Sequence, residues 1–89
     1  MPHSPAEKKN ALARVRRIRG QVEALERALD EGAECGPVLQ QLAAIRGAIN
    51  ALMAGVLESH LREEFAPGDD PRRVQRVDEM TQLVRTYLR

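Results

Sequence analysis

Between Val38 and Leu57 apolar side chains return at every third or fourth position. Val38, Leu42, Ile45, Ile49, Leu52 and Val56 form one stripe, which Leu39, Met53 and Leu57 widen. Steps of three and four mark a helix, because the α-helix repeats every 3.6 residues. The widened stripe makes more than half of the helix circumference apolar. Such a helix has to be covered on more than one side, since large apolar patches are rare on soluble monomers. Either the rest of the chain or other chains must supply that cover.

The rest of the chain offers two more helices, each announced by proline. Ser4-Pro5-Ala6-Glu7 reads as a capping box, with Ser4 at N-cap, Pro5 at N1 and Glu7 reaching back from N3. Leu12, Val15, Ile18, Val22, Leu25 and Leu29 then mark one face of a first helix, which fades at "DEGAECGP", with Gly32 as the residue past its end. The second helix is expected to start near Pro37 and to stop at "APGDD", residues 66–70. Asp70 caps a shorter third helix with Pro71 at N1 and apolar Val74, Val77, Met80, Val84, Tyr87 and Leu88. No strand alternation, glycine-rich phosphate loop or internal repeat interrupts this order. The expected class is all-α: one domain over residues 1–89, with two long helices in an antiparallel hairpin and a short third.

A chain of 89 residues buries only about 60% of the surface it would expose unfolded, so a core built from one copy is marginal. Phe65 and Tyr87 are its only aromatics, and its single cysteine, Cys35, excludes an internal disulfide. Self-association is the expected remedy. No apolar run is expected to approach the ~20 residues of a membrane span, and "MPHSPAEKKN" is too polar for a signal peptide. A soluble protein of the reducing cytoplasm fits these features.

The net charge of +1 conceals an asymmetry. Residues 1–20 set six basic groups (Lys8, Lys9, Arg14, Arg16, Arg17, Arg19) against Glu7 alone, a net +5, while the other 69 residues carry eight basic and twelve acidic groups, a net −4. A basic segment on an acidic chain is either a solvated helix face or a footprint for an anionic partner. Arg14 and Arg17, three apart, share a face, and Lys9 and Arg16 lie on another flank.

Four polar residues stand apart from the charged faces: His3, Cys35, His60 and Glu64. His60 and Glu64 are four apart on the second helix and share a face, a spacing that suits a metal, an oriented proton or an ordinary solvated pair. Cys35 precedes the Gly36-Pro37 pair, outside the apolar run. It is separated from His60 by 25 residues, roughly 37 Å at 1.5 Å per residue. The two therefore cannot meet within one chain. Antiparallel packing of two second helices across a two-fold axis would bring Cys35 of one subunit to His60 and Glu64 of its neighbour. The hairpin returns the start of the first helix, with Pro2 and His3, to the same end.

"RVRRIRGQVEALERAL" (14–29), "AEC" (33–35), "LQQLAAIRGAINALMAGVLESHLRE" (39–63) and the closing "LVRTYL" resemble the CsoR/RcnR family of bacterial transcriptional repressors over nearly the whole chain. The resemblance implies an all-α dimer of dimers that binds operator DNA without a recognised helix-turn-helix. It also implies release when an effector fills an intersubunit site, and it favours Arg14 and Arg17 as DNA contacts, with Arg16 and Arg46 beside them.

Branches of that family differ at the sensory positions. Copper sensors use two thiolates and a histidine; here the matching positions are Cys35, His60 and Glu64, and soft Cu(I) would lack a preferred ligand. Persulfide sensing needs a second cysteine. Nickel–cobalt sensors use an N-terminal histidine, a cysteine and two histidines of the second helix; His3, Cys35 and His60 match, but Glu64 takes the place of the last. The formaldehyde-sensing FrmR branch carries Pro2 and the cysteine, and "MPHSPAEKK", "RVRRIRGQVEALER" and "VLESHLRE" resemble it most closely.

Removal of Met1 would expose Pro2 as a secondary amine, and a free α-amino group has an ordinary pKa of about 7.7–8.0, so part of it is neutral near pH 7. The amine adds to formaldehyde and loses water to give an iminium, which a thiolate of Cys35 attacks to leave an N–CH2–S bridge. His60 would serve as base or hydrogen-bond partner, and Glu64 would stabilise the iminium. No cofactor is required by this scheme. The alternative keeps the repressor and makes the effector Zn(II), Co(II) or Ni(II), held by His3, Cys35, His60 and Glu64. An enzyme built on Cys35 finds no nucleotide motif or substrate cavity in the sequence, and a purely structural helical module is the remaining class.

Overall fold

The computed structural model describes residues 4–64 and 71–87, with the backbone alone for Glu64, Pro71, Arg73, Val74, Val77 and Tyr87. Three helices follow one another: α1 (Pro5–Asp30), α2 (Cys35–Glu64) and α3 (Pro71–Tyr87). The described residues contain no strand.

Both ends of α1 are fixed by chemistry visible in the sequence. Ser4 is its N-cap, in extended conformation, and its Oγ accepts the Glu7 N–H at 3.1 Å. The reciprocal arm of the expected capping box is not made by Glu7 Oε2, which is buried without a hydrogen-bond partner. At the other end Gly32 has φ +76°, the left-handed conformation that costs glycine nothing. Its N–H donates to the Leu29 carbonyl at 3.2 Å and the Ala33 N–H to the Ala28 carbonyl at 2.8 Å. That bond pair is a Schellman motif and reverses the chain into α2.

The start of α2 departs from expectation. The helix begins at Cys35, two residues before Pro37, and the Glu34 carbonyl accepts the Val38 N–H at 3.3 Å. Pro37 thus sits inside the first turn. A helix has no use for the N–H groups of that turn, so a proline there costs no hydrogen bond. Asp70 and residues 66–70, expected to cap α3 and end α2, lie outside the described residues; α3 starts at Pro71 as expected.

Helices α1 and α2 pack as an antiparallel hairpin, and among the described residues the contact of α3 with them is slight. The apolar stripes divide in the process. From α1, Ala11, Ile18, Leu25 and Ala28 are partly covered, whereas Leu12, Val15, Val22 and Leu29 remain exposed. From α2, Val38, Ile45, Leu52 and Ser59, seven residues apart, face the hairpin interior; Leu39, Leu42, Ile49 and Met53 do not. Ile45 and Ser59 are the only buried residues among those described. Each stripe is wider than a single partner helix can cover.

The resulting molecule is a slab measuring 57 × 29 × 10 Å with a radius of gyration of 17.0 Å. A compact domain of this length would have a radius of about 12 Å. Its accessible surface is 7074 Å², about 1,900 Å² more than the ~5,200 Å² typical of a folded monomer of this mass. A standard interface takes about 800 Å² from each partner, so the excess matches one large or two ordinary interfaces. By length and composition alone, Cys35–Glu63 is also apolar enough to cross a bilayer, which corrects the expectation that no run reaches that length. Arg46 and Asn50 at its middle suit a helix buried between subunits better than one in lipid.

Candidate functional site

The early start of α2 changes the standing of Cys35. As a residue of the first helical turn it falls in register with the exposed stripe: Cys35, Leu42 and Ile49 are seven apart, as are Leu39, Arg46, Met53 and His60. Sequence inspection placed Cys35 outside the apolar pattern, and the structure places it at the end of one. The thiol is exposed and unpaired, and His60 is half-buried. A seven-residue repeat of this kind is the pattern by which two helices pack along their length.

Within one chain the sensory candidates do not converge. Cys35 and His60 occupy opposite ends of one uninterrupted helix, and among the described residues no three His, Cys, Asp or Glu side chains are grouped to hold a metal ion. Pro2 and His3 lie outside the described residues, and Glu64 is described as backbone only, one helical turn beyond His60. What the hairpin does bring together is the start of α1 and the end of α2. Glu7, Asn10, Ala11 and Arg14 line a cleft of about 160 Å³ with Leu52, Gly55, Val56, Glu58, Ser59 and Arg62. The first turns of α1 therefore run beside the turn that carries His60.

Two features of this cleft escaped the sequence reading. Arg14 Nη1 donates to the Ala51 carbonyl at 2.9 Å across the hairpin, and a side chain at Gly55 would meet that nitrogen at 3.9 Å. Ser59 takes the place of an apolar residue in the Val38–Ile45–Leu52 series and is buried. A small polar residue in that series was the available signal. Glu58 and Arg62 pair one turn apart on the rim, both largely exposed, an arrangement worth about 0.3–0.5 kcal/mol.

The basic candidates occupy different surfaces. Arg14 and Arg17 share a groove with Asn10, Ala13, Ala48 and Ala51. Arg46 lines another with Leu39, Leu42 and Ala43, and so stands within the exposed apolar stripe. Arg16 is exposed on α1 and lines neither groove.

The comparisons with known proteins bear on the arrangement as a whole. A family model described as metal-sensitive transcriptional repressor matches residues 7–86. The chain belongs to that family. It is 43% identical to the transcriptional repressor RcnR of Salmonella arizonae and 52% identical to an uncharacterised protein of the bioA 5′ region of Serratia marcescens, each match covering the whole of both chains. Among solved structures it is similar to an E64H variant of the formaldehyde-responsive regulator FrmR of Salmonella enterica serovar Typhimurium. That match has a TM-score of 0.74 and 53% identity, covering 97% of this chain and 99% of that one. Members of this family of metal-sensitive repressors bind DNA, associate and regulate transcription; they are not enzymes. The three-helix, all-α architecture expected from the sequence stands.

Proposed function

We propose that the chain is a formaldehyde-responsive repressor of the cytoplasm. It holds operator DNA as a dimer of dimers and releases it when formaldehyde bridges the Pro2 amine of one subunit to Cys35 of a neighbour. The observation that carries this reading is the 53% identity, over nearly the full length, to a regulator named as formaldehyde-responsive. It is supported by an exposed thiol at the end of an exposed heptad stripe. Antiparallel pairing of two α2 helices about the point between residues 47 and 48 sets Cys35 opposite His60 of the other chain, with Glu64 one turn away. The start of the other chain's α1, to which Pro2 is tethered, lies at the same end.

The chemistry balances without a further reactant. The secondary amine adds to the aldehyde carbon, and loss of hydroxide from the carbinolamine gives an iminium. The Cys35 thiolate closes the N–CH2–S bridge, so that formaldehyde is gained and one water is lost. His60 accepts or returns the proton, and a carboxylate at position 64 supplies negative charge that offsets the cationic iminium. The bridge ties the start of α1 to a second subunit and so shifts the spacing of the Arg14, Arg16 and Arg17 surfaces along the duplex. A coupling of about 1–3 kcal/mol, roughly 5–150-fold in affinity, is ordinary for such linkage.

A second reading has its own support, in the family description and in the RcnR relative. His3, Cys35, His60 and Glu64, collected from two chains, would offer one thiolate, two imidazoles and one carboxylate, a set suited to Zn(II), Co(II) or Ni(II). A gel-shift titration of the protein–operator complex separates the two. Formaldehyde is expected to release the DNA where these three ions do not; release by one of these ions alone overturns the formaldehyde reading.

A further inference from the structure

The groove between α1 and α2 that carries Arg14 and Arg17 lies away from the apolar stripe. Asn10, Arg14 and Arg17 stand over alanines 13, 48 and 51. We propose that this groove seats a DNA phosphodiester, and that Gly55 and the Ala51 carbonyl are positioning residues that aim Arg14 into it. The proposal rests on the reading of Arg14 as a DNA contact and adds to it the residues that hold it in place.

A free arginine side chain samples many rotamers, and fixing it on a phosphate costs entropy. Here that ordering precedes binding. Nη1 is tied to the Ala51 carbonyl at 2.9 Å, an oxygen with a second lone pair to offer beyond its helical bond. The guanidinium has five N–H donors in a rigid fork, so one bond to α2 leaves the others for the groove. Gly55 permits this approach. A Cβ there would stand 3.9 Å from Nη1, ordinary contact that alanine also satisfies, whereas the branched tip of a leucine adds bulk beside the guanidinium. Alanine walls at 13, 48 and 51 let a sugar-phosphate come close, and Arg17 and Asn10 add a second charge and a neutral donor. Contacts of this type position the protein on DNA without reading sequence.

The test measures binding to a random-sequence duplex across a salt series, with circular dichroism and native mass checked for each variant. Arg14→Ala is expected to lower the slope of log affinity against log salt by about 0.9 for each phosphate contact removed. Gly55→Leu is expected to lower it by the same amount, and to do nothing more when added to Arg14→Ala. Gly55→Leu that leaves affinity and slope unchanged, or that weakens binding equally in both backgrounds, overturns the positioning role. An unchanged slope in Arg14→Ala removes the DNA contact itself, a separate failure. Should Gly55→Leu not fold, relaxation of the arginine Nε–H groups in the wild-type protein decides: Arg14 is expected to be more ordered than Arg16, and equal mobility overturns the anchoring.

Discussion

Replacing Ile49 by glutamate tests whether the exposed stripe of α2 is an interface. Ile49 retains 41% of its exposure in the single chain. Full burial of an isoleucine is worth about 1.5–3 kcal/mol, so covering the remaining two-fifths contributes about 0.6–1.2 kcal/mol per chain. In an isologous interface each substitution occurs twice, which gives about 1–2.5 kcal/mol of lost apolar burial per dimer. The carboxylates must also be desolvated without a partner, at a cost of several kcal/mol. A total of about 4 kcal/mol or more raises the dissociation constant by at least about 10³-fold. On an isolated monomer the same surface change would shift stability by no more than about 0.5 kcal/mol. Sedimentation velocity over a concentration series reads the mass, and circular dichroism reads the helix. The expected result is loss of the assembly with loss of helix, because a slab 10 Å thick has little core of its own. An Ile49→Glu protein with wild-type mass and melting temperature would refute the reasoning.

Other consequences are direct. Cys35→Ala is expected to keep the repressor on its operator at formaldehyde concentrations that strip the wild type, read by gel shift; normal release would remove the bridge. Gly32→Ala forces a Cβ into the φ +76° conformation and is expected to cost about 1–2 kcal/mol, seen as a lower thermal midpoint. Retention of Met1 would convert the Pro2 nitrogen to an amide and stop the adduct, so intact mass is expected to show Met1 removed in responsive protein.

The fold was legible because its signals are local. Ser4 and Gly32 mark the ends of α1 through hydrogen bonds to residues three to five positions away, and the 3.6-residue period needs no partner to be read. Helix α2 starts two residues ahead of the expected Pro37, because a first turn accepts proline at any of the positions lacking an intrahelical N–H bond. That two-residue shift hid the fact that Cys35 belongs to the same heptad stripe as Ile49 and His60. Division of each apolar stripe between hairpin and outer face was also beyond periodicity, which says that Leu25 and Leu29 are apolar but not which of them meets α2. The Arg14–Ala51 contact spans 37 residues and ends on a backbone carbonyl, which carries no sequence pattern of its own.

The central claim is a covalent link between chains, and peptide mass spectrometry after mild formaldehyde exposure tests it most directly. Light and isotopically heavy chains are mixed, allowed to exchange, treated and digested. The account predicts a peptide pair joined through residue 2 and Cys35 by a single carbon, in light–heavy combinations, at the formaldehyde concentrations that release DNA. Release of DNA with no such link, or with the link confined to one chain, would contradict it.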